Sequence, residues 1–471
     1  MQRFHLKLGV TIFLAAAALA GCSDDTTPGA AACAHPLGDA CAGVPAEPVC
    51  GEDVCTAGVT CSSVATVSDA GALGAAASKA ASGSCIALAP GSYGKVDLPA
   101  GVSLLGRGSE FVHVDGVKVA AGSGAVVRGV SVGAGGVVLD GALDARLEAV
   151  RITASGQSGV DLGGGSSATL AHVEIGGSSL YGLRAVDAAK LSVEASVIAD
   201  SKGPGLWAEC SGGCACTERG SVSLTGTVLS GNQLVGAALV GVDATFDGVE
   251  IRGTLPRSLV GGGGVSVASC ATLTATDTTV ADNRMYGVLV DGSSAKLGGP
   301  SAEEGVEISG NHVGLWVQGQ AADGSQSVEV NHARLLGNSG VGIGSSGDIV
   351  GFVIYGTEIR NTKSENLTVD EGGQKTVGDG LVWGAGAQIA IDGLTLEGNE
   401  RQSILIDGAA GEGSKIANVT LAGADAQKGI LQQSVMSGTD APEVGAGAPP
   451  VTQKSEKVLP VPTAPAAPSA L

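Results

Sequence analysis

Apolar residues alternate with variable residues in short segments that recur along most of the chain. From about residue 136 a glycine, once a serine, precedes each segment, and five of the ten intervals between these landmarks are 23 residues. The landmarks are Gly136, Gly159, Gly182, Gly205, Gly236, Gly264, Gly287, Gly314, Gly342, Gly380 and Ser403. The residue one past each landmark is always apolar, the residue three past nearly always is, and the residue between them varies freely. This period of two predicts a β-strand with one buried and one outward face.

Each repeat also contains a second alternating strand and a turn that often carries asparagine. The segments 168–175 and 271–280 show such second strands. The turn asparagines, about four residues before the landmark, are Asn232, Asn283, Asn311, Asn338 and Asn399. Because stacked strands lie about 4.8 Å apart, these amides can hydrogen-bond from one coil to the next. We therefore predict a structural asparagine ladder rather than catalytic asparagines.

Together these features resemble the pectate-lyase-like superfamily over residues 84–425. The resemblance implies an all-β fold, a right-handed, single-stranded parallel β-helix in which each repeat is one coil of a solenoid. No long amphipathic helix interrupts the repeats, which argues against leucine-rich and helical solenoids.

The two ends of the solenoid are expected to differ. Ser68 or Asp69 can N-cap a helix over Ala70–Ala81, and a capping helix within 67–83 would cover the unpaired edge of the first coil. Residues 426–471 are rich in proline, alanine and glycine, and this composition predicts a disordered C-terminal tail.

A basic stretch and a short apolar run open the chain. Arg3 and Lys7 precede an apolar run at 8–20. That run is shorter than the about 20 residues needed to span a bilayer, so residues 1–21 are predicted to be a signal peptide. It closes on Leu19-Ala20-Gly21-Cys22, which resembles the lipobox of bacterial lipoproteins. An ordinary secretory peptide with a chance cysteine is the alternative.

The lipobox resemblance implies cleavage before Cys22 and acylation of its thiol and amine, followed by a linker over 22–32. Several acyl chains would anchor the protein firmly. We expect the protein to be exported and to be attached to a membrane through this anchor. Ser23, where the sorting rule of enteric bacteria uses Asp for the inner membrane, favours the outer membrane. The sequence does not decide between the periplasmic face of the outer membrane and the cell surface.

Ten cysteines besides Cys22 predict disulfides, because an even number in an exported chain is typical of an oxidised framework. They fall into an N-terminal group, Cys33, Cys41, Cys50, Cys55, Cys61 and Cys85, and a central group, Cys210, Cys214, Cys216 and Cys270. Residues 33–66 are predicted to be a small disulfide-held segment. The pairing within each group stays open, as does the role of the 210–216 insertion.

Acidic residues dominate the charge and exclude some partners. The chain has 46 Asp and Glu against 26 Lys and Arg. The field of such a surface repels nucleic acid, so no nucleic-acid partner is expected. The few histidines have no metal-ligand spacing, and neither a metal nor a cofactor is predicted.

The catalytic signatures of the resembled superfamily are missing. In the segment 340–347, which is similar to a polygalacturonase stretch, Val341 stands where the family has histidine. A pectate-lyase calcium site needs acidic residues on neighbouring coils. The acidic residues four past the landmarks, Asp140, Glu209, Asp291 and Asp407, fall on coils that are not adjacent. No catalytic residue is predicted.

One set of outward residues is a candidate ligand site. Asp161, Arg184 and Trp207 occupy the same outward position on three successive coils, and Trp316 has that position further along. Aromatic rings with polar neighbours suit sugars, and arginine can hold a carboxylate in two-pronged fashion. The alternatives are a plain surface ion pair beside an indole, and a local shift of register that buries Trp207.

These features favour a non-catalytic, lipid-anchored surface protein that binds glycan or extracellular matrix or serves in the envelope or in adhesion. Polysaccharides and envelope proteins are the expected partners. A divergent polysaccharide lyase or hydrolase, and a structural subunit of an envelope assembly, are the alternatives. The sequence alone leaves enzymatic activity undecided.

Overall fold

Short parallel strands joined by turns stack in successive coils and build almost all of the described structure. It is a computed structural model that describes residues 59–257, 261–320, 324, 326–369, 372–435 and 441–467. The predicted signal peptide and linker, together with Cys22, Cys33, Cys41, Cys50 and Cys55, lie outside these residues.

Sheet 1 contains fifteen strands, eleven of which either begin directly after a landmark residue or contain it. They are Val96–Leu98, Val117–Val119, Val137–Asp140, Val160–Gly163, Leu183–Val186, Leu206–Glu209, Val235–Val240, Gly263–Ala268, Tyr286–Asp291, Val313–Gln318, Val341–Ser346, Asp379–Trp383, Gln402–Asp407, Ile430–Gln433 and Val451–Gln453. Each strand pairs in parallel with the equivalent strand of the next coil. All the apolar residues one past a landmark are buried, from Val137 to Ile404. The predicted parallel β-helix with a period-two core is therefore confirmed.

Sheets 2 and 3 hold the other two strands of each coil and together form one 28-stranded sheet. Sheet 2 contains Val64–Val67, Cys85–Leu88, Ser103–Leu105, Val126–Arg128, Ala145–Glu148, Ser167–Ala171, Lys190–Glu194, Ser221–Thr225, Asp243–Asp247, Thr272–Thr276, Ser294–Leu297, Val328–Asn331, Phe352–Tyr355 and Glu443–Val444. Sheet 3 contains Gly91–Tyr93, Val112–Val114, Ser131–Val132, Arg151–Thr153, Glu174–Gly176, Val197–Ala199, Val228–Ser230, Glu250–Arg252, Thr278–Ala281, Val306–Ser309, Arg334–Leu336 and Glu358–Arg360. The long strands Ile389–Glu397 and Lys415–Ala422 belong to both sheets.

Two small sheets lie outside this stack. Gly122–Ser123 pairs in parallel with Ala142–Leu143, and Glu365–Thr368 pairs with Gln374–Val377 as an antiparallel hairpin. Short 3-10 helices occur at Gly213–Ala215 and Ala302–Glu304.

Glycine is required at the landmark positions because neighbouring backbone comes very close. A Cβ at Gly314 would lie 2.5 Å from the carbonyl oxygen of Gly342 and 2.9 Å from Nδ2 of Asn338. Contacts this short leave no room for a side chain at Gly314, which explains why ten of the eleven landmarks are glycine.

The five turn asparagines are buried and hydrogen-bond between coils. Oδ1 of Asn311 accepts from the backbone N–H of Asn283 at 2.9 Å, and Nδ2 of Asn311 donates to Oδ1 of Asn338 at 3.2 Å. At the far end, Oδ2 of Asp425 accepts from Nδ2 of Asn399 at 2.8 Å, while Nζ of Lys428 lies 3.5 Å from its Oδ1. The ladder thus closes on a carboxylate whose charge is paired.

A helix covers the N-terminal end, as predicted. Oδ1 of Asp69 accepts from the backbone N–H of Gly71 at 3.0 Å and caps a 3-10 turn at Ala70–Ala72, which continues into the α-helix Leu73–Lys79. Leu73 and Ala77 of this helix are buried in the core. The strand Val64–Val67 precedes the helix, so the first coil begins about twenty residues before the predicted residue 84. No helix among the described residues is long and apolar enough to cross a membrane.

The expectation of a disordered tail from residue 426 is wrong for the described residues. A short helix, Asp425–Lys428, and the strands Ile430–Gln433 and Val451–Gln453 continue the coils. Composition misled the prediction because apolar residues spaced among the prolines, such as Val461 at 5% exposed, have a hydrophobic surface to pack against.

Among the described residues, three disulfides join cysteines within the two predicted groups. Cys61–Cys85 links the first two coils of sheet 2. The central cysteines pair as Cys210–Cys216 and Cys214–Cys270, so the insertion after the strand Leu206–Glu209 is fastened to a coil further along. This arrangement favours a structural clip for the 210–216 insertion.

Candidate functional site

The predicted row of outward residues exists in sheet 1 with the expected register. Asp161 pairs with Arg184, and Arg184 pairs with Trp207 on the next coil. Nη1 of Arg184 lies 3.0 Å from Oδ1 of Asp161, and both side chains are about one-third exposed. This part of the row is a partly exposed ion pair.

Trp207 is not presented to solvent, which corrects the prediction of an exposed indole. It is only 2% exposed, because Leu180 and Tyr181, in the turn before Leu183–Val186, and Val235, in the strand of the next coil, belong to the same hydrophobic cluster. The Tyr181 and Trp207 rings lie 6.0 Å apart, and Nε1 of Trp207 donates to Oε2 of Glu209 at 2.9 Å. The burial results from this covering turn and not from the shift of register considered above.

Trp316 is covered as well, at 1% exposed. Leu289, Val382 and Leu405 continue its outward row and form an outer hydrophobic cluster with it. The hairpin Glu365–Thr368/Gln374–Val377 and the C-terminal residues 459–467 lie over this cluster. The row of Asp161, Arg184, Trp207 and Trp316 therefore forms no continuous ligand surface.

A buried ion pair fastens this covering segment. Arg401 pairs with Asp379, whose side chain has no exposed surface, and donates to the carbonyl oxygen of Pro460 at 2.9 Å. Burial raises the pKa of Asp379, and the adjacent guanidinium opposes that rise. Oε1 of Gln433 also accepts from the backbone N–H of Leu459 at 2.8 Å.

A polar groove of about 590 Å³ lies on the outer face of sheet 2. Its centre is a row of hydroxyl side chains on five successive coils, which we name the hydroxyl row: Thr169, Ser192, Ser223, Thr245 and Thr274. The spacing of paired strands places these hydroxyls about 4.8 Å apart. The alternation that buries Leu170 and Leu224 turns their strand neighbours outward into this groove.

The charged groups that line the groove are of mixed sign: Asp144, Arg146, Lys190 and Asp243. Arg146 pairs with Thr169 and continues the hydroxyl row by one coil, whereas Lys190 and Asp243 lie beside it. Oδ1 of Asp243 accepts from Oγ1 of Thr272 at 2.7 Å and lies 3.3 Å from Nη1 of Arg219. The groove therefore offers many donors and acceptors without a concentration of positive charge.

The sequence contains a signal for this groove that the search for aromatic and acidic residues on the landmark strands missed. Serine or threonine occupies the central outward position of the second strand in five consecutive repeats, from Thr169 to Thr274. Across the described residues, no group of three or more His, Cys, Asp or Glu is placed to hold a metal ion.

The family model described as "Right handed beta helix region" matches residues 101–298. The chain carries a right-handed β-helix domain. The match covers seven of the eleven landmark strands, together with the whole hydroxyl row. No curated protein matches this chain.

Solved structures similar to the β-helix domain include three carbohydrate-active proteins. One is the catalytic unit of a GH87 alpha-1,3-glucanase from Streptomyces thermodiastaticus strain HF3-3 (14% identity, 89% of this chain, 72% of that chain, TM-score 0.41). Another is the A-module of the Azotobacter vinelandii mannuronan C-5 epimerase AlgE6 (16%, 76%, 96%, TM-score 0.40). The third is the pectate lyase Pel9A (14%, 61%, 81%, TM-score 0.37). At identities this low the similarity shows the fold alone, and the activities named here are those of the other proteins.

Proposed function

We propose that this protein is a non-catalytic, lipid-anchored envelope protein that binds a neutral glycan along the groove of sheet 2. The observation that carries the proposal is the hydroxyl row, from Thr169 to Thr274, on a regular and solvent-accessible sheet face. A hydroxyl group both donates and accepts hydrogen bonds, so a row of them matches the mixed donors and acceptors of sugar hydroxyls.

Charge favours a neutral ligand over an acidic one. The chain carries a formal net charge of −20, and Asp144 and Asp243 offset Arg146 and Lys190 along the groove. An acidic polysaccharide or a nucleic acid would approach against this field, whereas an uncharged glycan would not.

The spacing of the carboxylates in the groove supports a binding role. Glycoside hydrolysis requires two carboxyl groups about 5–10 Å apart across the scissile bond. Asp144 contacts Ser167, and three further coils separate Ser167 from Asp243. At about 4.8 Å per coil the two carboxylates that line the groove are roughly 19 Å apart.

The membrane anchor rests on the lipobox resemblance at Cys22. Acylation there would leave the β-helix domain outside the bilayer, with the groove open to polymers of the envelope or the surroundings. Mass spectrometry of the membrane-extracted protein tests this part directly, by the mass of the N-terminal peptide.

Neutral-glycan binding by the full-length protein in detergent is the test of the groove. We expect the wild-type protein to bind neutral glycans on an array, and the double variant Ser223→Ala/Thr245→Val to lose at least about tenfold in affinity, since two hydrogen-bonding groups are lost from the centre of the row.

Thr153→Val is the matched control, because Thr153 is an exposed strand threonine of sheet 3 outside the groove. It should bind like the wild type, and all three proteins should melt at the same temperature. A folded wild type that binds no neutral glycan, or a double variant that binds equally well, would refute the proposal.

A further inference from the structure

An apolar patch is exposed on the coil that carries the strand Phe352–Tyr355. Phe352 and Ile354 of this strand are buried, whereas Val353 is 37% and Tyr355 48% exposed. Val350, in the preceding turn, is 50% exposed. These three are among only nine large apolar residues that are exposed in the described part of the chain, so the patch is a local concentration.

This patch lies in line with the hydroxyl row. Strand pairing continues the row from Thr274 through Lys296 and Glu329 to Val353. Three coils, or about 14 Å, separate Thr274 from Val353, and five coils, or about 24 Å, separate Ser223 from Val353. The patch and the groove therefore share one face of sheet 2.

Polar groups surround the exposed Tyr355 ring. Strand pairing places Asn331 and Asp392 on either side of Tyr355. Oδ1 of Asp392 accepts from Nδ2 of Asn418 at 2.6 Å, and the His332 ring meets the Tyr355 ring edge-on with centroids 5.4 Å apart. An aromatic ring that is supported on one side and flanked by amide and carboxylate groups suits the apolar face of a sugar ring and its hydroxyls.

We propose that Val353 and Tyr355 form a second subsite for the glycan that the groove binds, so that the ligand is an extended, neutral polysaccharide spanning both sites. This inference rests on the proposed function. Two linked sites raise the affinity for a chain long enough to reach both, because the second contact is then intramolecular. The polar residues Lys296 and Glu329 between the two sites suit a hydrated polymer better than an apolar protein interface.

Affinity as a function of ligand length tests the second subsite. We expect the full-length protein to bind cello-oligosaccharides or laminari-oligosaccharides with an affinity that rises steeply once the chain exceeds about 24 Å, the span of five coils. Tyr355→Ala should lower the affinity for decasaccharides and polymers at least about tenfold, as expected for loss of a stacking aromatic, and leave that for di- and trisaccharides unchanged.

Two further variants control for this effect. Tyr355→Phe keeps the ring and should retain most of the length dependence. Phe111→Ala removes an aromatic residue with the same 48% exposure that lies outside both sites, and should bind like the wild type.

The possible results separate this inference from the proposed function. If Ser223→Ala/Thr245→Val loses binding but Tyr355→Ala binds like the wild type at every ligand length, the second subsite is overturned. The groove then remains the binding site. An equal loss for disaccharides and polymers in Tyr355→Ala overturns the extended ligand. Absence of binding by the folded wild type overturns both proposals.

Discussion

At the scale of single residues, the buried carboxylate of Asp379 in sheet 1 is paired with the guanidinium of Arg401. Its side chain has no exposed surface, and Arg401 also donates to the carbonyl oxygens of Pro460 and Thr376. A buried ion pair adds little net stability, but removal of one partner leaves an uncompensated charge. Arg401 is therefore the residue at which a single substitution should be costly.

Replacement of Arg401 by methionine should lower the free energy of unfolding by about 3–5 kcal/mol at pH 7, the usual cost of breaking a buried pair. The cost should shrink as the pH falls. Without its partner the folded-state pKa of Asp379 would lie still further above the ordinary value of 3.8. The loss of stability is therefore fully present at a pH above the raised, folded-state pKa, and it disappears as the pH falls and the carboxyl becomes protonated. Denaturant unfolding between pH 7 and pH 4 measures this change.

Arg334→Met is the control for this experiment. Arg334 is 57% exposed and lies 3.3 Å from Glu307, so its loss should change stability by at most about 0.5 kcal/mol at either pH. A cost for Arg401→Met that grows toward acid pH would contradict our account of Asp379.

At the scale of elements, the C-terminal segment acts as a cover for the outer hydrophobic cluster around Trp316. Leu459, Val461, Ala464 and Ala467 of this segment pack against the cluster. Two hydrogen bonds fix its path. The backbone N–H of Leu459 donates to Oε1 of Gln433, and the backbone N–H of Thr463 donates to the carbonyl oxygen of Thr368. A proline-rich segment needs few backbone partners of its own, so it can lie extended across a finished sheet.

A stop codon after Ser455 should expose the cluster around Trp316, because the covering apolar residues are removed with the segment. We expect a red shift of tryptophan fluorescence, binding of a hydrophobic dye and a lower melting temperature. A stop codon after Ala467 removes the last four residues only and is the matched control. Unchanged fluorescence in the shorter protein would mean that residues 456–467 do not shield Trp316.

At the scale of the whole molecule, each coil contacts mainly its neighbours, so the stability of the solenoid is built from local interfaces. The central disulfides differ in how far they reach along it. Cys214–Cys270 closes a loop with a sequence separation of 56 residues, whereas Cys210–Cys216 closes one of 6. In the chain-entropy account, the longer loop constrains the unfolded chain more strongly.

The variant Cys214→Ser/Cys270→Ser should therefore lose about 2 kcal/mol more stability than Cys210→Ser/Cys216→Ser, from the logarithm of the two loop lengths. Chemical denaturation of both variants, side by side with the wild type, measures the difference. Equal losses would show that chain entropy does not govern the contribution of these two disulfides.

The fold and the register could be predicted from sequence because both depend on local alternation. Each landmark glycine precedes a strand whose inward residues, such as Val160 and Leu183, repeat at the same positions. A shift by one residue would turn these side chains to solvent, so the pairing of Asp161 with Arg184 followed from the pattern alone.

The candidate site could be predicted only in part, because an outward position in a strand is not the same as an exposed one. Turns and distant segments decide whether an outward side chain meets solvent, and Trp207 and Trp316 are covered by residues near 181 and 461. The hydroxyl row stays partly or fully exposed, and among the described residues no such segment crosses sheet 2 there.

The sequence by itself determined the repeat, the inward rows of the core, the asparagine ladder positions and the helix that begins at Asp69, since each depends on contacts within one coil or between neighbouring coils. The tertiary structure alone decided which outward faces are covered, how the cysteines pair within their groups, and that residues 441–467 are ordered. Those outcomes depend on particular contacts outside the repeating core, some between residues more than 50 apart in the chain, as between Arg401 and Pro460 or Cys214 and Cys270, and a short sequence period does not encode them.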